Sequence, residues 1–157
     1  MRNAETIVIL HDIRSSENVG SIFRTSDGAG VSKVYLSGYT PAPVDRFKRK
    51  NAKLAKVSLG AEDFIPWEAG KEIFSLIDEL KAQGFSIVAV EQSEAAVPYT
   101  KYKPKGKVAV IFGNEVEGVP KSVLERCDTV IEIPMNGKKE SLNVSVAAGI
   151  ALFSLAK

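Results

Sequence analysis

Cysteine and histidine each occur only once in this sequence of 157 residues, as Cys127 and His11. A single cysteine cannot form an internal disulfide, and one cysteine with one histidine is too few for the usual three- or four-ligand zinc site. We therefore expect no metal site. His11 lies inside an apolar run, where a histidine is more often a structural residue with satisfied hydrogen bonds than a general base.

Long hydrophobic runs are missing as well. The N-terminal stretch TIVIL is interrupted by His11 and Asp12 and has no cleavage-site pattern after it, so it predicts a strand and not a signal peptide. With 45% hydrophobic and 25% charged residues, the composition is that of a globular protein. These features predict a cytoplasmic protein in which residues 1–157 form one domain, with no membrane partner.

Net charge is small, but the basic residues are unevenly distributed. The formal charge is +2, yet RFKRKNAKLAK, residues 46–56, carries six basic side chains and no acid. A second basic stretch, YTKYKPKGK, occupies residues 99–107. Such patches suit a phosphate backbone, because each lysine or arginine that contacts a phosphate releases counterions. From charge alone, a solvated helix face and a solvated loop are equally good interpretations.

Apolar segments rich in valine and isoleucine alternate with helical patterns along the chain. Such alternation predicts an α/β fold with a mainly parallel sheet covered on both faces. The predicted strands are TIVILHDI, SKVYLSG, FSIVAVEQ, KVAVIFGNE and TVIEIPM. The predicted helices are SSENVGSIFRTSDGAG, capped by Ser15 or Ser16 and ended by Gly28 or Gly30; KEIFSLIDELKAQG, closed by Gly84; PKSVLERC; and a last helix from Ser141 onwards.

Familiar nucleotide-binding and hydrolase motifs are absent. The stretch VIFGNEVEGVP resembles a phosphate-binding P-loop, but Val119 and Pro120 intervene before Lys121, and that motif needs the lysine directly after the second glycine. The stretch DGAGVSK lacks the third glycine of a dinucleotide fingerprint. No Gly-x-Ser-x-Gly elbow occurs. A nucleoside triphosphatase and a serine hydrolase are therefore disfavoured.

Three turns after predicted strands carry unusual polar residues. ENVGSIFR places Arg24 on a helix face opposite Val19, Ile22 and Phe23. VIFGNE breaks an apolar strand with a glycine, an amide and a carboxylate, and SLNVSV puts polar residues into an otherwise apolar helix. Ligands of parallel sheets bind at the carboxyl ends of strands, so these turns are candidate ligand sites. Taken alone, each has an ordinary explanation: a surface ion pair of Arg24 with Glu17 or Asp27, which is favoured for the first, a common turn with a capping side chain for the second, and hydrogen bonds to the backbone of a neighbouring loop for the third.

Taken together, the three segments resemble the SpoU branch of the SPOUT RNA methyltransferases. The matching stretches are NVGSIFRTSDGAGVSKVYL, VAVIFGNEVEGVP and IEIPMNGKKESLNVSVAAGIALF, in the order that the family has them. The resemblance implies an α/β SPOUT-type sheet flanked by helices, with a deep trefoil knot near the C-terminus. It also implies a homodimer that uses S-adenosyl-L-methionine to methylate a ribose 2'-hydroxyl of RNA.

The resemblance further implies roles for individual residues. Arg24 matches the arginine at the family's reaction centre, where a guanidinium would stabilise the developing oxyanion, and Asn18 matches the asparagine that helps to place it. The other implied catalytic residues are Glu115, Ser141 and Asn143. The implied cofactor-binding residues are Glu91, Gln92, Gly113, Asn114, Ile133, Met135 and Leu142.

Many members of this branch carry an additional RNA-binding domain, and none is expected here. RNA capture would then depend on basic residues of the catalytic domain itself, and tRNA is the expected substrate. The alternatives are a 23S rRNA methyltransferase and a noncatalytic RNA-binding or assembly protein with the same fold. The candidate RNA-binding residues are Arg46, Lys48, Arg49, Lys50, Lys53 and Lys103.

Charge reversal at Lys48, Arg49 and Lys50 should weaken RNA binding and flatten its dependence on salt. Each lost phosphate contact lowers the slope of log affinity against log salt concentration by about 0.7 to 0.9. Binding titrations of labelled RNA at several salt concentrations measure this slope. Unchanged affinity across the salt series would exclude the patch from RNA binding.

Overall fold

A parallel sheet organises the part of the chain that the computed structural model describes, residues 5–156. The strands lie side by side in the order β3-β2-β1-β6-β4-β7-β5, and every neighbouring pair is parallel. The predicted α/β fold is therefore confirmed. In chain order the strands are β1 (Thr6–His11), β2 (Lys33–Ser37), β3 (Trp67–Lys71), β4 (Ser86–Val90), β5 (Val97–Pro98), β6 (Val108–Phe112) and β7 (Thr129–Glu132).

Helices cover both faces of the sheet. Residues of α1, α2 and α5 pack into one apolar core, and residues of α3, with Val123 of α4, pack into a second core on the opposite face. Because both faces are covered, the central strands are apolar along their length, and Val8 of β1 and Val110 of β6 are completely buried. The helices are α1 (Ser16–Ala29), α2 (Ala52–Ser58), α3 (Ile73–Ala82), α4 (Lys121–Leu124) and α5 (Val144–Leu155).

Helix α1 begins and ends as its sequence predicts. The side chain of Ser15 caps its first turn by accepting a hydrogen bond from the backbone N–H of Asn18 at 3.0 Å. Gly30 ends the helix with φ = 77°, a left-handed conformation that glycine adopts without steric cost. Val19 and Phe23 are fully buried while Arg24 is exposed, so the predicted apolar and polar faces are confirmed.

Helix α2 lies directly against α1, and a glycine allows this. A Cβ atom at Gly20 would collide with the backbone carbonyl oxygen of Leu54 on α2, so any larger residue would force the two helices apart. The close approach brings the basic segment that contains α2 next to the N-terminal half of α1.

The last helix starts later than predicted. Helix α5 begins at Val144 with Asn143 as its N-cap, so the prediction of a helix from Ser141 onwards is wrong. Asn143 accepts a hydrogen bond from the backbone N–H of Ser145 at 2.8 Å, which is how an asparagine caps a first turn. Ser141 consequently lies in the loop before the helix.

Strand β3 was not predicted, because WEAGK has no alternation of apolar and polar residues. Its three central residues are exposed, and the strand is held at the edge of the sheet by parallel pairing with β2. Pairing in the folded protein here overrides a weak local preference.

Strand β7 lies between β4 and β5, which both precede it in the chain. The chain after β7 then returns to pack α5 against α1, within the same apolar core. This insertion of a late strand between two earlier ones is consistent with a C-terminal trefoil knot, and the knot itself stays a prediction. Across residues 5–156, no helix combines the length and the apolar character needed to span a membrane.

Candidate active site

A cavity lies at the carboxyl ends of β4, β6 and β7, the edge where parallel sheets bind ligands. We call it the strand-end cavity. Residues after β4, after β6, after β7 and before α5 form its walls. All the predicted cofactor-binding residues line it, namely Glu91, Gln92, Gly113, Asn114, Ile133, Met135 and Leu142, and so do the predicted catalytic residues Glu115 and Ser141.

Two glycines shape the wall that follows β6. The chain turns back on itself here, and the backbone N–H of Gly118 donates to the carbonyl of Asn114 at 2.9 Å. A Cβ atom on Gly113 would lie 2.5 Å from the carbonyl carbon of Gly118, so this close approach requires glycine. Gly118 itself has φ = 71°, which favours glycine as well. At these two glycines the turn thus presents backbone groups to the cavity without intervening side chains.

The side chain of Asn114 is used entirely to hold this turn. Its amide nitrogen donates to the carbonyl of Asp12 and to the hydroxyl of Tyr39, both at 2.9 Å. Its oxygen accepts from the backbone N–H groups of Val116 at 2.8 Å and Glu117 at 2.9 Å. An amide has two donor hydrogens and two acceptor lone pairs, so Asn114 can contact a ligand only through its backbone.

Glu91 supports the same turn from β4. One carboxylate oxygen accepts from the backbone N–H of Val119 at 2.8 Å, and the other accepts from the N–H of Gln92 at 3.0 Å. A side chain at Gly118 would collide with this carboxylate. Glu91 therefore positions the wall of the strand-end cavity while lining it.

Glu115 joins the turn after β6 to the start of α1. Its Oε1 accepts from the backbone N–H of Arg14 at 2.9 Å, and its Oε2 accepts from the backbone N–H of Ser15 at 2.9 Å and from the side-chain amide of Asn18 at 3.0 Å. Burial alone would raise the pKa of this carboxyl group, but the three donors outweigh burial and lower its pKa. A carboxylate with three donors and a lowered pKa is a poor general base, so Glu115 is a positioning residue.

Asn18 extends this connection to the last helix. Its side-chain oxygen accepts a long hydrogen bond, 3.4 Å, from the amide of Asn143. Glu115, Asn18 and Asn143 therefore form one polar cluster that ties β6, α1 and α5 together. Asn143 and Ser145 find their partners in this cluster and in the local cap. Ser141 and Asn143 are exposed, so neither polar side chain is buried without a partner.

Arg24 is not part of this cluster. It lies six residues after Asn18, which is about 9 Å further along the helix axis and turned well away from it. Its side chain lines a separate outer cavity with Glu17, Lys53 and Lys56. In the single chain Arg24 therefore does not line the strand-end cavity with Glu115 and Ser141, and its catalytic role stays a prediction.

A polar trench connects the two cavities. It is lined by Glu115 and Val116, which also border the strand-end cavity, and by Glu17 and Lys53, which also border the outer cavity. Between them lie Asn18, Asn143 and the loop of residues 14–16. The surface thus runs continuously from the strand-end cavity through the trench to Arg24, and its charged side chains become mainly basic along the way.

The predicted RNA-binding residues are all exposed but do not line one common cavity. Lys53 lines the trench, while Arg46, Arg49 and Lys50 line a groove beside the loop between β2 and α2. Arg49 is paired with Asp45, with 2.8 Å between Nε and Oδ2. Lys103 lies far along the chain, before β6, and lines neither the trench nor the groove. Sequence reasoning did not select Lys56, although it belongs to the same basic segment.

The single histidine and the single cysteine take structural positions. Nδ1 of His11 lies 2.9 Å from the hydroxyl of Ser37, and burial lowers the pKa of the imidazole, although nearby Asp12 opposes this. Burial raises the pKa of Cys127 to about 11, so its thiol stays protonated. Among residues 5–156, no group of three or more His, Cys, Asp or Glu side chains is arranged to hold a metal ion.

Comparison with solved structures defines the class of protein. An AdoMet-bound rRNA methyltransferase from Sinorhizobium meliloti superposes with a TM-score of 0.88 at 29% identity, over 98% of this chain and 56% of that one. The TrmH/SpoU tRNA modifying enzyme of A. aeolicus superposes with a TM-score of 0.84 at 29% identity, over 99% of this chain and 75% of that one. The fold is that of the SPOUT methyltransferases.

The family follows from the sequence match. The chain belongs to the SpoU rRNA Methylase family, which it matches over residues 5–153. It is 34% identical over 147 residues to the 23S rRNA (guanosine-2'-O-)-methyltransferase RlmB of Ralstonia nicotianae. That match covers 94% of this chain and 56% of the relative, so the chain spans little more than half of the relative's length.

Replacing Glu115 by glutamine should destabilise the protein by about 1.5 to 3 kcal/mol, because an amide group would turn donor hydrogens towards groups that themselves donate. The folded-state pKa of Glu115 is lowered. The carboxylate therefore contributes fully to the free energy of unfolding above the unfolded-state pKa of about 4.3, and this contribution is lost as pH falls through the lower folded-state pKa. Urea unfolding of both proteins between neutral and acidic pH measures the difference.

The exposed neighbour Glu117 provides the matched control, since Glu117→Gln removes the same charge from the same turn. Equal unfolding midpoints for Glu115→Gln and the wild type would show that the carboxylate does not hold the turn to α1.

Proposed function

We propose that the protein transfers a methyl group from S-adenosyl-L-methionine to a ribose 2'-hydroxyl of RNA. The observation that carries the proposal is the continuous surface from the strand-end cavity to the basic outer cavity, with the Glu115–Asn18–Asn143 cluster between them. A small donor and a polyanionic acceptor would meet at that cluster. The names of the similar proteins, which include rRNA and tRNA enzymes, agree with this activity.

The strand-end cavity fits S-adenosyl-L-methionine in its chemistry. Apolar side chains of Ile133, Met135 and Leu142 suit the flat adenine ring, and the glycine-bordered turn at 113–118 exposes backbone donors and acceptors for its polar edges. Gln92 and Ser141 add side-chain polar groups at the rim. When bound, the cofactor supplies an electrophilic methyl group on a positively charged sulfur.

The ribose hydroxyl that accepts the methyl group is a weak nucleophile. The ribose hydroxyl loses its proton to solvent water as its oxygen takes the methyl group, so a nearby cation lowers the barrier by stabilising the negative charge that develops on the oxygen. Glu115 does not take this proton readily, because its carboxylate already accepts three hydrogen bonds. Arg24 is the cation that we assign to the acceptor, and its guanidinium acts by charge and not as a base. Because Arg24 lies outside the strand-end cavity of its own chain, this role requires the second chain of the dimer proposed below to bring a methyl donor within its reach.

Arg24 also has a place on the path of the RNA. It shares the outer cavity with Lys53 and Lys56, and three cations around one concave surface attract phosphates of the RNA backbone. Asn18, Ser141 and Asn143 lie nearer to the strand-end cavity and would orient the ribose. Methyl transfer to tRNA remains our expectation, with 23S rRNA tested beside it, and the cytoplasm remains the expected location.

The homodimer is the second part of the proposal. Helix α5 is apolar on nearly every side, and a helix of that kind is normally buried all round. In the single chain Ala148, Ala151 and Leu152 are buried, but Val146 and Phe153 are each 50% exposed. A second copy of the chain would cover this outer face, which lies beside α1 and therefore beside the helix that carries Arg24.

Substituting Val146 by aspartate should convert the dimer into a monomer, because a charge in an apolar interface is costly and Val146 is too exposed for the change to disturb the single chain. Sedimentation velocity would then report one chain instead of two. The exposed, apolar Val44, on the loop before α2, supplies the control Val44→Asp. A wild type that sediments as a monomer would refute the dimer.

Replacing Arg24 by alanine should reduce methyl transfer by about 100- to 1,000-fold while leaving the affinity for S-adenosyl-L-methionine unchanged, because Arg24 lies outside the strand-end cavity. Labelled methyl transfer to tRNA and to 23S rRNA measures the first effect, and calorimetric titration measures the second. Alkali-resistant dinucleotides in the product identify the 2'-hydroxyl as the acceptor.

The control for this test is Asp27→Asn, an exposed change on the same helix. Full activity of Arg24→Ala would remove Arg24 from the reaction. A wild type that binds RNA but transfers no methyl group would favour the noncatalytic RNA-binding alternative.

A further inference from the structure

An exposed phenylalanine stands in the middle of the basic loop between β2 and α2. Phe47 is 63% exposed, although its neighbours in sequence are charged. The guanidinium carbons of Arg46 and Arg49 lie 4.8 and 5.1 Å from the centre of its ring. Neither apolar core of the described residues includes Phe47, so its ring is not explained by packing.

Hydrogen bonds within the loop hold the backbone that carries this ring. Oδ1 of Asp45 accepts from the backbone N–H groups of Phe47 at 2.8 Å and Arg49 at 2.9 Å, and Oδ2 accepts from Nε of Arg49 at 2.8 Å. The backbone N–H of Asp45 donates to the carbonyl of Arg49 at 3.0 Å, which closes the loop. Lys48 takes a left-handed conformation with φ = 61° at its tip. An aromatic ring on a loop so heavily bonded is preorganised for a partner.

We propose that Phe47, flanked by Arg46 and Arg49, is a stacking platform for an unpaired nucleobase of the RNA substrate. The inference deepens the proposed function and rests on it. Every nucleobase offers a flat π-face to an aromatic ring, and an arginine plane stacks on a base as well. Lys48 and Lys50, on the same loop, are exposed and suit the adjoining phosphates.

The position of the loop links it to the trench. Asn51 caps α2 directly after the loop, and Lys53, in the first turn of that helix, lines the trench. A strand of RNA that follows the basic residues from the trench therefore arrives at Phe47. Bases inside a duplex cannot stack on a protein ring, so the platform selects a single-stranded stretch or loop near the methylated nucleotide.

The test separates stacking from phosphate contacts. Phe47→Leu keeps an apolar side chain but removes the π-face, and we expect it to weaken binding of an unstructured RNA by about 5- to 100-fold. The slope of log affinity against log salt concentration stays unchanged, because no phosphate contact is lost. Phe47→Tyr and Phe47→Trp, which retain a flat ring, bind within about twofold of the wild type, as expected for stacking.

A second exposed phenylalanine gives the matched control. Phe64 is 75% exposed and lies outside the basic loop, so Phe64→Leu should leave RNA affinity unchanged. A fully paired RNA duplex of the same length is the control ligand, and Phe47→Leu should not change its affinity.

Several outcomes would overturn the platform. One is a Phe47→Leu variant that binds unstructured RNA as tightly as the wild type does. Another is a loss of affinity in Phe47→Leu that is equal for duplex and unstructured RNA. If Phe47→Leu without RNA sediments differently from the wild type, the ring contacts a second protein chain and not RNA. If the wild type and Phe47→Leu both methylate RNA normally and bind it with the same affinity, only this inference fails. If the wild type binds no RNA, the proposed function fails as well.

Discussion

The carboxylate of Glu115 joins three parts of the chain that are remote in sequence. It stands at the turn after β6 and accepts hydrogen bonds from Arg14, Ser15 and Asn18 at the start of α1. Asn18 in turn meets Asn143 at the cap of α5. The strand-end cavity and the trench both depend on this cluster, because it fixes how the last helix, the first helix and the central strand meet.

The residues around this cluster fall into two groups, those that hold the shape of the site and those that are free to contact a substrate. Asn114, whose side-chain hydrogen bonds are all satisfied, and Glu115, whose carboxylate already accepts three, define the shape of the cavity, and the lowered pKa of Glu115 makes it a poor proton acceptor. Groups with spare capacity, such as Ser141 at the rim and Arg24 in the outer cavity, are exposed and can contact an incoming substrate. This division of labour is typical of sites that act by positioning and charge, where preorganisation matters more than a strong base.

The sequence predicted the parts of the fold that local chemistry decides. The apolar strands, the Ser15 cap and the Gly30 end of α1 follow from side-chain type and spacing, and the residues lining the strand-end cavity followed from motif resemblance. The position of Arg24 could not be predicted, because it depends on which neighbouring element covers its helix face. The start of α5 was missed since both Ser141 and Asn143 are good caps, and only tertiary contact with Asn18 distinguishes them. Phe47 had a signal in the sequence, an aromatic residue within a basic run, but exposure is a tertiary property.

The insertion of β7 between two earlier strands has a consequence for biosynthesis. Until β7 has been made, β4 has no partner on that side, and an unpaired strand edge invites association with other chains. The contacts that close the sheet also span long stretches of sequence, which slows folding. A nascent chain on the ribosome therefore carries this vulnerable edge from the synthesis of β4 until that of β7, and chaperones that shield strand edges become important for its yield in the cell.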